Sequence, residues 1–269
     1  MYFDVIPTLT QQIKIIQGGV VMRFKIQLEV ISDEKEFTPK TISIRYHSLF
    51  LSLFKKGLEH AAPDYFNDLY GTNKEKYFSQ ALIFHHGIFS NKEIQLNSPK
   101  ITWLFSTPKA DLAMAAYNAF TYLKKMKSLT LTKEVTLRIR QIIPIYQEPI
   151  TTNTIDFKLI SPLIVRDHDR ETRKDWFLGF EDAAFETVIK NNLKHKLVQE
   201  LGDGVQYDID RMKIEPLKMK KTVTRIYEKF IQGSIGTIRL TGEPYLLNYI
   251  RDAGFSSKSG LFCGFMVEV

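Results

Sequence analysis

Apolar and polar residues alternate through Met22-Arg23-Phe24-Lys25-Ile26-Gln27-Leu28-Glu29-Val30, the period of a strand with one buried face. From His47 onward Leu49, Phe50, Leu53, Phe54 and Leu58 fall at helical spacing, and Pro63 limits that helix downstream. Strand patterns over 77–84, and over 93–97 with 101–106, precede a helix over 109–127 and an alternating run over 134–145. The order is βαββαβ. A second series follows: a strand at 157–166, a helix at 181–201, strands at 212–220 and at 222–230 or 234–240, a short helix at 243–253 and a strand at 261–269.

The two series predict an α+β protein of two tandem ferredoxin-like domains, residues 22–148 and 155–269, with a cleft between them. The halves share topology without a residue-level repeat. Pro149 and three threonines mark residues 146–154 as the boundary. Residues 1–21 read as an extension, because the sharp strand pattern begins only at Met22. They contain the apolar patch 13–16 but no basic leader followed by a long apolar stretch and a small-residue cleavage site.

Composition narrows the picture. At 269 residues and 44% hydrophobic content the chain has material for two real cores, which argues against disorder. Lysine and arginine exceed aspartate and glutamate by 37 to 30, a net charge of +7 that favours an anionic partner. The single cysteine, Cys263, cannot form an internal disulfide. Cysteine and histidine spacing gives no zinc signature, and no apolar run approaches the length of a membrane span. A reducing cytoplasm is the expected compartment.

Residues 254–269, from Gly254-Phe255-Ser256-Ser257-Lys258-Ser259-Gly260 to Leu261-Phe262-Cys263-Gly264-Phe265, place small residues between an amphipathic helix and a terminal strand. Their exposed amides, with Lys258, could cradle a phosphate. A tight helix-to-strand connection with glycine at the helix end would use the same residues. The segment resembles the C-terminal glycine-rich loop of the CRISPR repeat-processing endoribonucleases, in the wider repeat-associated RNA-binding superfamily. The resemblance extends over 22–269. It includes the opening Met22-Arg23-Phe24, the helix region 42–59, Ser161-Pro162-Leu163-Ile164-Val165-Arg166-Asp167 and Thr241-Gly242. Ser256 and Phe262 stand where the family commonly has glycine, leaving Gly254, Gly260 and Gly264.

The resemblance implies metal-independent cleavage of repeat RNA by its own 2′-OH, leaving a 2′,3′-cyclic phosphate and a 5′-OH, with no cofactor. Such a reaction needs a base, an acid and a cation for the phosphorane. His47, in Arg45-Tyr46-His47-Ser48-Leu49, matches the catalytic histidine of several branches. Tyr70 stands where other branches place theirs. Lys76 matches a family lysine, and Lys56, or Lys55 with a one-residue gap, matches a branch-specific tyrosine. His60, His85, His86, His168 and His195 carry less weight. The expected RNA contacts are Arg138, Arg140, Lys218, Lys220, Lys221 and Arg225, with Gly254, Lys258, Gly260 and Gly264 of the loop. The implied partner is a CRISPR repeat with a small hairpin. Assembly with other CRISPR-associated proteins and homodimerisation stay open, as does the alternative of a non-catalytic RNA-binding scaffold.

Overall fold

The computed structural model describes residues 22–32, 36–71, 75–169 and 171–269; the expected extension over 1–21 lies outside them. The first series is β1 (Met22–Val30), β2 (Lys40–Ser43), α1 (Tyr46–Ala61), α2 (Pro63–Tyr70), β3 (Ser79–Phe84), β4 (Gly87–Phe89), β5 (Glu93–Leu96), β6 (Lys100–Thr107), α3 (Ala110–Lys125), β7 (Leu129–Thr130) and β8 (Thr136–Ile145). An antiparallel sheet of order β3-β6-β1-β8-β7 carries α1 and α3. Its first four strands have the ferredoxin-like arrangement. Phe24, Ile26, Leu28 and Val30 are buried as their alternation requires, and β1 pairs with both β6 and β8. The two helices approach closely where Gly57 meets Ala119: a Cβ at Gly57 would lie 2.9 Å from the Ala119 carbonyl oxygen.

α1 ends at Ala61, just before Pro63, as expected, and Pro63 opens a second helix, α2, at its first turn, where the missing N–H has no intrahelical partner to lose. One expectation for this half is corrected. The strand at 93–96 leaves the main sheet for a small one of order β2-β5-β4, so the hairpin of the βαββαβ unit is β3 with β6.

The second series is β9 (Thr154–Leu159), β10 (Val165–His168), β11 (Asp175–Leu178), α4 (Phe185–Leu201), α5 (Val205–Arg211), β12 (Lys213–Ile226), β13 (Lys229–Thr241), α6 (Pro244–Ala253) and β14 (Met266–Glu268). Its sheet runs β12-β13-β9-β14, again ferredoxin-like. The single strand expected over 157–166 divides at Ser161-Pro162, after which Leu163 bridges to Ser234 and β10 pairs with β11. Proline supplies no N–H and disfavours continuation of the preceding conformation. The strands expected at 212–240 form one long hairpin, with a bulge between Pro216 and Lys218. The strand expected over 261–269 shortens to β14, preceded by a 3₁₀ turn at Ser259–Leu261 and irregular chain over 262–265. None of the described helices is long and apolar enough to cross a membrane.

Candidate active site

The chain after α6 lies between the two sheets and is tied to both. Toward the second unit, Ser256 Oγ and Ser257 Oγ accept hydrogen bonds from the backbone N–H of Ile164 and Arg166. Toward the first, Ser259 Oγ donates to the Lys76 carbonyl and Gln80 Nε2 donates to the Gly260 carbonyl, each at 3.3 Å. Phe262 belongs to the core of the first unit, its ring centroid 5.6 Å from Trp103 and 6.1 Å from His47. Lys196 of α4 is buried beneath the segment, donating to the Ala253 carbonyl and Ser259 Oγ. Burial pushes its pKa down to about 8.

Gly254, Gly260 and Gly264 are therefore buried at a packed junction. Gly254 has φ +85°, and a Cβ there would lie 2.5 Å from Ser79 Cβ; Gly264 has φ +70° and would bring a Cβ to 2.4 Å from Ser256 Cβ. Their lack of side chains has a packing cause before any question of RNA. Lys258 is half-buried, and burial lowers its pKa, with Arg166 adding repulsion.

His47 sits in the first turn of α1 with a relative exposure of 2%. Its ring stacks on Tyr46 at 3.9 Å between centroids, and Nε2 lies 3.5 Å from Thr224 Oγ1 of β12. Nδ1 is buried with no hydrogen-bond partner. Desolvation lowers the imidazole pKa to about 4, partly opposed by the Arg225 backbone acting as an acceptor. The ring is thus neutral near pH 7. The tip of the β12–β13 hairpin covers this end of α1, and Glu228 accepts a hydrogen bond from Arg45 at 2.5 Å.

Two turns further along α1, Lys55 places Nζ 4.3 Å from the centre of the Tyr70 ring, and Lys76 Nζ stands 5.5 Å from the same ring. Both distances are those of a cation over an aromatic face. The Tyr70 hydroxyl is buried without a hydrogen-bond partner, and burial raises its pKa, so it keeps its proton. Burial lowers the pKa of Lys76, with Lys55 contributing repulsion. Lys56 is exposed on the neighbouring face of the helix. Of the two lysines the sequence left open, Lys55 joins the cluster.

Residues 145–268 match the family described as CRISPR associated protein Cas6, C-terminal. The match spans 124 of the 269 residues, essentially the second half of the chain. Solved structures share the fold across nearly its whole length. A RAMP protein binding different RNA substrates is 20% identical, with a TM-score of 0.77 over 92% of this chain and 99% of its own. The product of a Cas6-related gene from Pyrococcus furiosus, also 20% identical, reaches 0.76 over 93% and 99%. A further CRISPR associated protein Cas6, 19% identical, reaches 0.68 over 93% and 100%. At these identities the likeness is one of fold. A search of curated proteins finds no match to this sequence.

The remaining candidates are dispersed. Arg138 and Arg140 share one face of β8 and both donate to Glu29, the first at 2.6 Å, so part of their charge is already neutralised. Lys218 and Lys220 are exposed on β12; Lys221 pairs with Glu181, and Arg225 lies over the Phe230 ring and pairs with Glu228. His60 stacks on Tyr122 at the far end of α1. His85 bonds Thr102, and His86 occupies a left-handed turn at φ +56°. His168 bonds Asp175 beside Arg166, and His195 is exposed. Sequence reasoning missed Thr224 and the burial of Lys196. No pattern marks Thr224, and Lys196 lies in a Lys-His-Lys run that reads as a solvated face.

Proposed function

We propose that the chain is an endoribonuclease that binds CRISPR repeat RNA and cuts it by attack of a ribose 2′-OH to make guide RNAs. The match of residues 145–268 to the Cas6 C-terminal family supports the class, and a structure of the same fold is described as binding different RNA substrates. The observation that carries the reading is the neutral His47 imidazole, with a bare Nδ1, at the junction of the two sheets. In the proposed reaction His47 takes the 2′-OH proton as the 2′-oxygen bonds to phosphorus. The P–O5′ bond breaks, and Tyr70, which holds its proton, supplies or positions the acid for the departing oxygen. Lys55 and Lys76 oppose the charge of the phosphorane. The products are a 2′,3′-cyclic phosphate and a 5′-OH, formed without a divalent ion. An arriving phosphate raises the proton affinity of His47 from its depressed value toward a useful one.

The path proposed for the RNA runs over Lys218, Lys220, Lys221 and Arg225, then Lys258 and the glycine segment, with Arg138 and Arg140 as outlying contacts. The compartment proposed is the cytoplasm. Burial of His47 also favours a second reading, a scaffold that binds the repeat without cutting it. Incubation with the cognate repeat in excess chelator separates the two. Cutting that disappears when the scissile nucleotide is 2′-deoxy supports the enzyme, and tight binding by an inert wild type supports the scaffold.

A further inference from the structure

A histidine that serves as a base must present the right nitrogen, and the tautomer is set by whatever the other nitrogen bonds. At His47 the two nitrogens differ sharply. Nε2 faces β12, 3.5 Å from Thr224 Oγ1, whereas Nδ1 is buried with no partner. A buried N–H without an acceptor is costly, so the ring proton belongs on Nε2, where Thr224 Oγ1 can accept it. Thr224 is itself buried, at 8% exposure, so water does not compete for its hydroxyl.

From this geometry we infer that Thr224 is a positioning residue that holds His47 as its Nε2–H tautomer and so makes Nδ1 the proton-accepting atom. The inference rests on the proposed cleavage for its purpose, though not for its test. The base is then assembled across the molecule, the imidazole from the first βαββαβ unit and the hydroxyl that orients it from the second. In the reaction the 2′-OH proton moves to Nδ1 while Nε2–H stays bonded to Thr224 of β12. The ring becomes an imidazolium whose second N–H already has an acceptor. A hydroxyl at 3.5 Å is at the long end of a hydrogen bond, as catalytic contacts commonly are before substrate arrives.

The test uses the whole chain labelled with ¹⁵N-histidine, with His47 assigned by its loss in H47Q. Nitrogen spectra at neutral pH should report Nε2 protonated and Nδ1 bare; the opposite tautomer overturns the inference. In Thr224→Val, which keeps the shape and removes the hydroxyl, the Nε2 proton should exchange with water several-fold faster. Thr224→Ser should restore the wild-type behaviour. Unchanged exchange in Thr224→Val also overturns the inference. In single-turnover cleavage, Thr224→Val should slow the rate roughly tenfold, within the span of a misplaced base, with repeat affinity unchanged and Thr224→Ser restoring the rate. Full activity in Thr224→Val alongside an inactive His47→Ala sinks this inference and leaves the endoribonuclease reading standing. The predicted tautomer and exchange in a protein that never cuts its repeat sink that reading instead, and leave Thr224 as the positioning residue.

Discussion

His47 makes stability depend on pH in a direction that can be worked out. Its pKa falls from about 6.5 in the unfolded chain to about 4 in the folded one. Between those values the unfolded state binds more protons, so stability is complete above the upper value and drains away as pH falls toward the lower. The full difference corresponds to about 3 kcal/mol. Chemical denaturation of wild type and His47→Gln at pH 7 and pH 4.5 should reveal it as a steeper loss in the wild type. Equal losses would mean that the ring is solvated. A second residue-scale prediction concerns the lysines of α1. Lys55→Met should slow repeat cleavage at least tenfold, and Lys56→Met should leave single-turnover kinetics unchanged, because only Lys55 reaches Tyr70. Consecutive helix residues point about 100° apart, so the one-residue gap left open in the sequence was a choice between two faces that no local pattern could make. His47 itself was legible from its neighbours. Its burial was not, because Thr224 and Phe262 close over it from the other end of the chain.

Among the elements, β1, α3 and β8 were read nearly to the residue, because period-2 alternation and helical spacing report directly on which face is buried. The alternation of β5 was equally readable, yet it says nothing about which sheet receives it. The apolar stretch through Leu159, Ile160, Leu163, Ile164 and Val165 looked continuous, and Ser161-Pro162 broke it. The glycine segment looked like a loop waiting for RNA, whereas its glycines let the backbone pass within contact distance of Ser79 and Ser256. Gly254→Ala distinguishes the two uses. A side chain at φ +85° pressed against Ser79 should cost at least about 2 kcal/mol, lowering Tm by roughly 4–8 °C. Unaltered melting with weakened RNA binding would instead assign Gly254 to the ligand.

At the scale of the whole molecule, the surplus of cations matters less than which of them are free to meet phosphate. Arg138, Arg140, Lys221 and Arg225 already face carboxylates, whereas Lys218 and Lys220 are exposed on β12 outside those pairs. Lys218→Ala with Lys220→Ala should reduce the slope of log affinity against log salt by about 1.5, near 0.7–0.9 per phosphate contact. Binding titrations between 50 and 200 mM salt measure it, and an unaltered slope would route the RNA elsewhere. Buried contacts also tie the two halves together. Arg23 of β1 reaches the carbonyls of Met266 and Arg251 and stands 3.8 Å from Asp252, all from the second half. Urea unfolding of a Trp176→Phe variant, followed by Trp103 fluorescence and by far-UV circular dichroism, should therefore give coincident transitions.

Phe262 sits among Phe50, Trp103 and His47, in a core whose other walls are formed by the first half of the chain. On the ribosome those walls emerge long before the ring that fills the space between them. Until it arrives, the first half carries an open aromatic slot, the kind of surface that chaperones hold and that neighbouring nascent chains adhere to. Closure then depends on a contact between distant parts of the sequence, and such contacts form slowly.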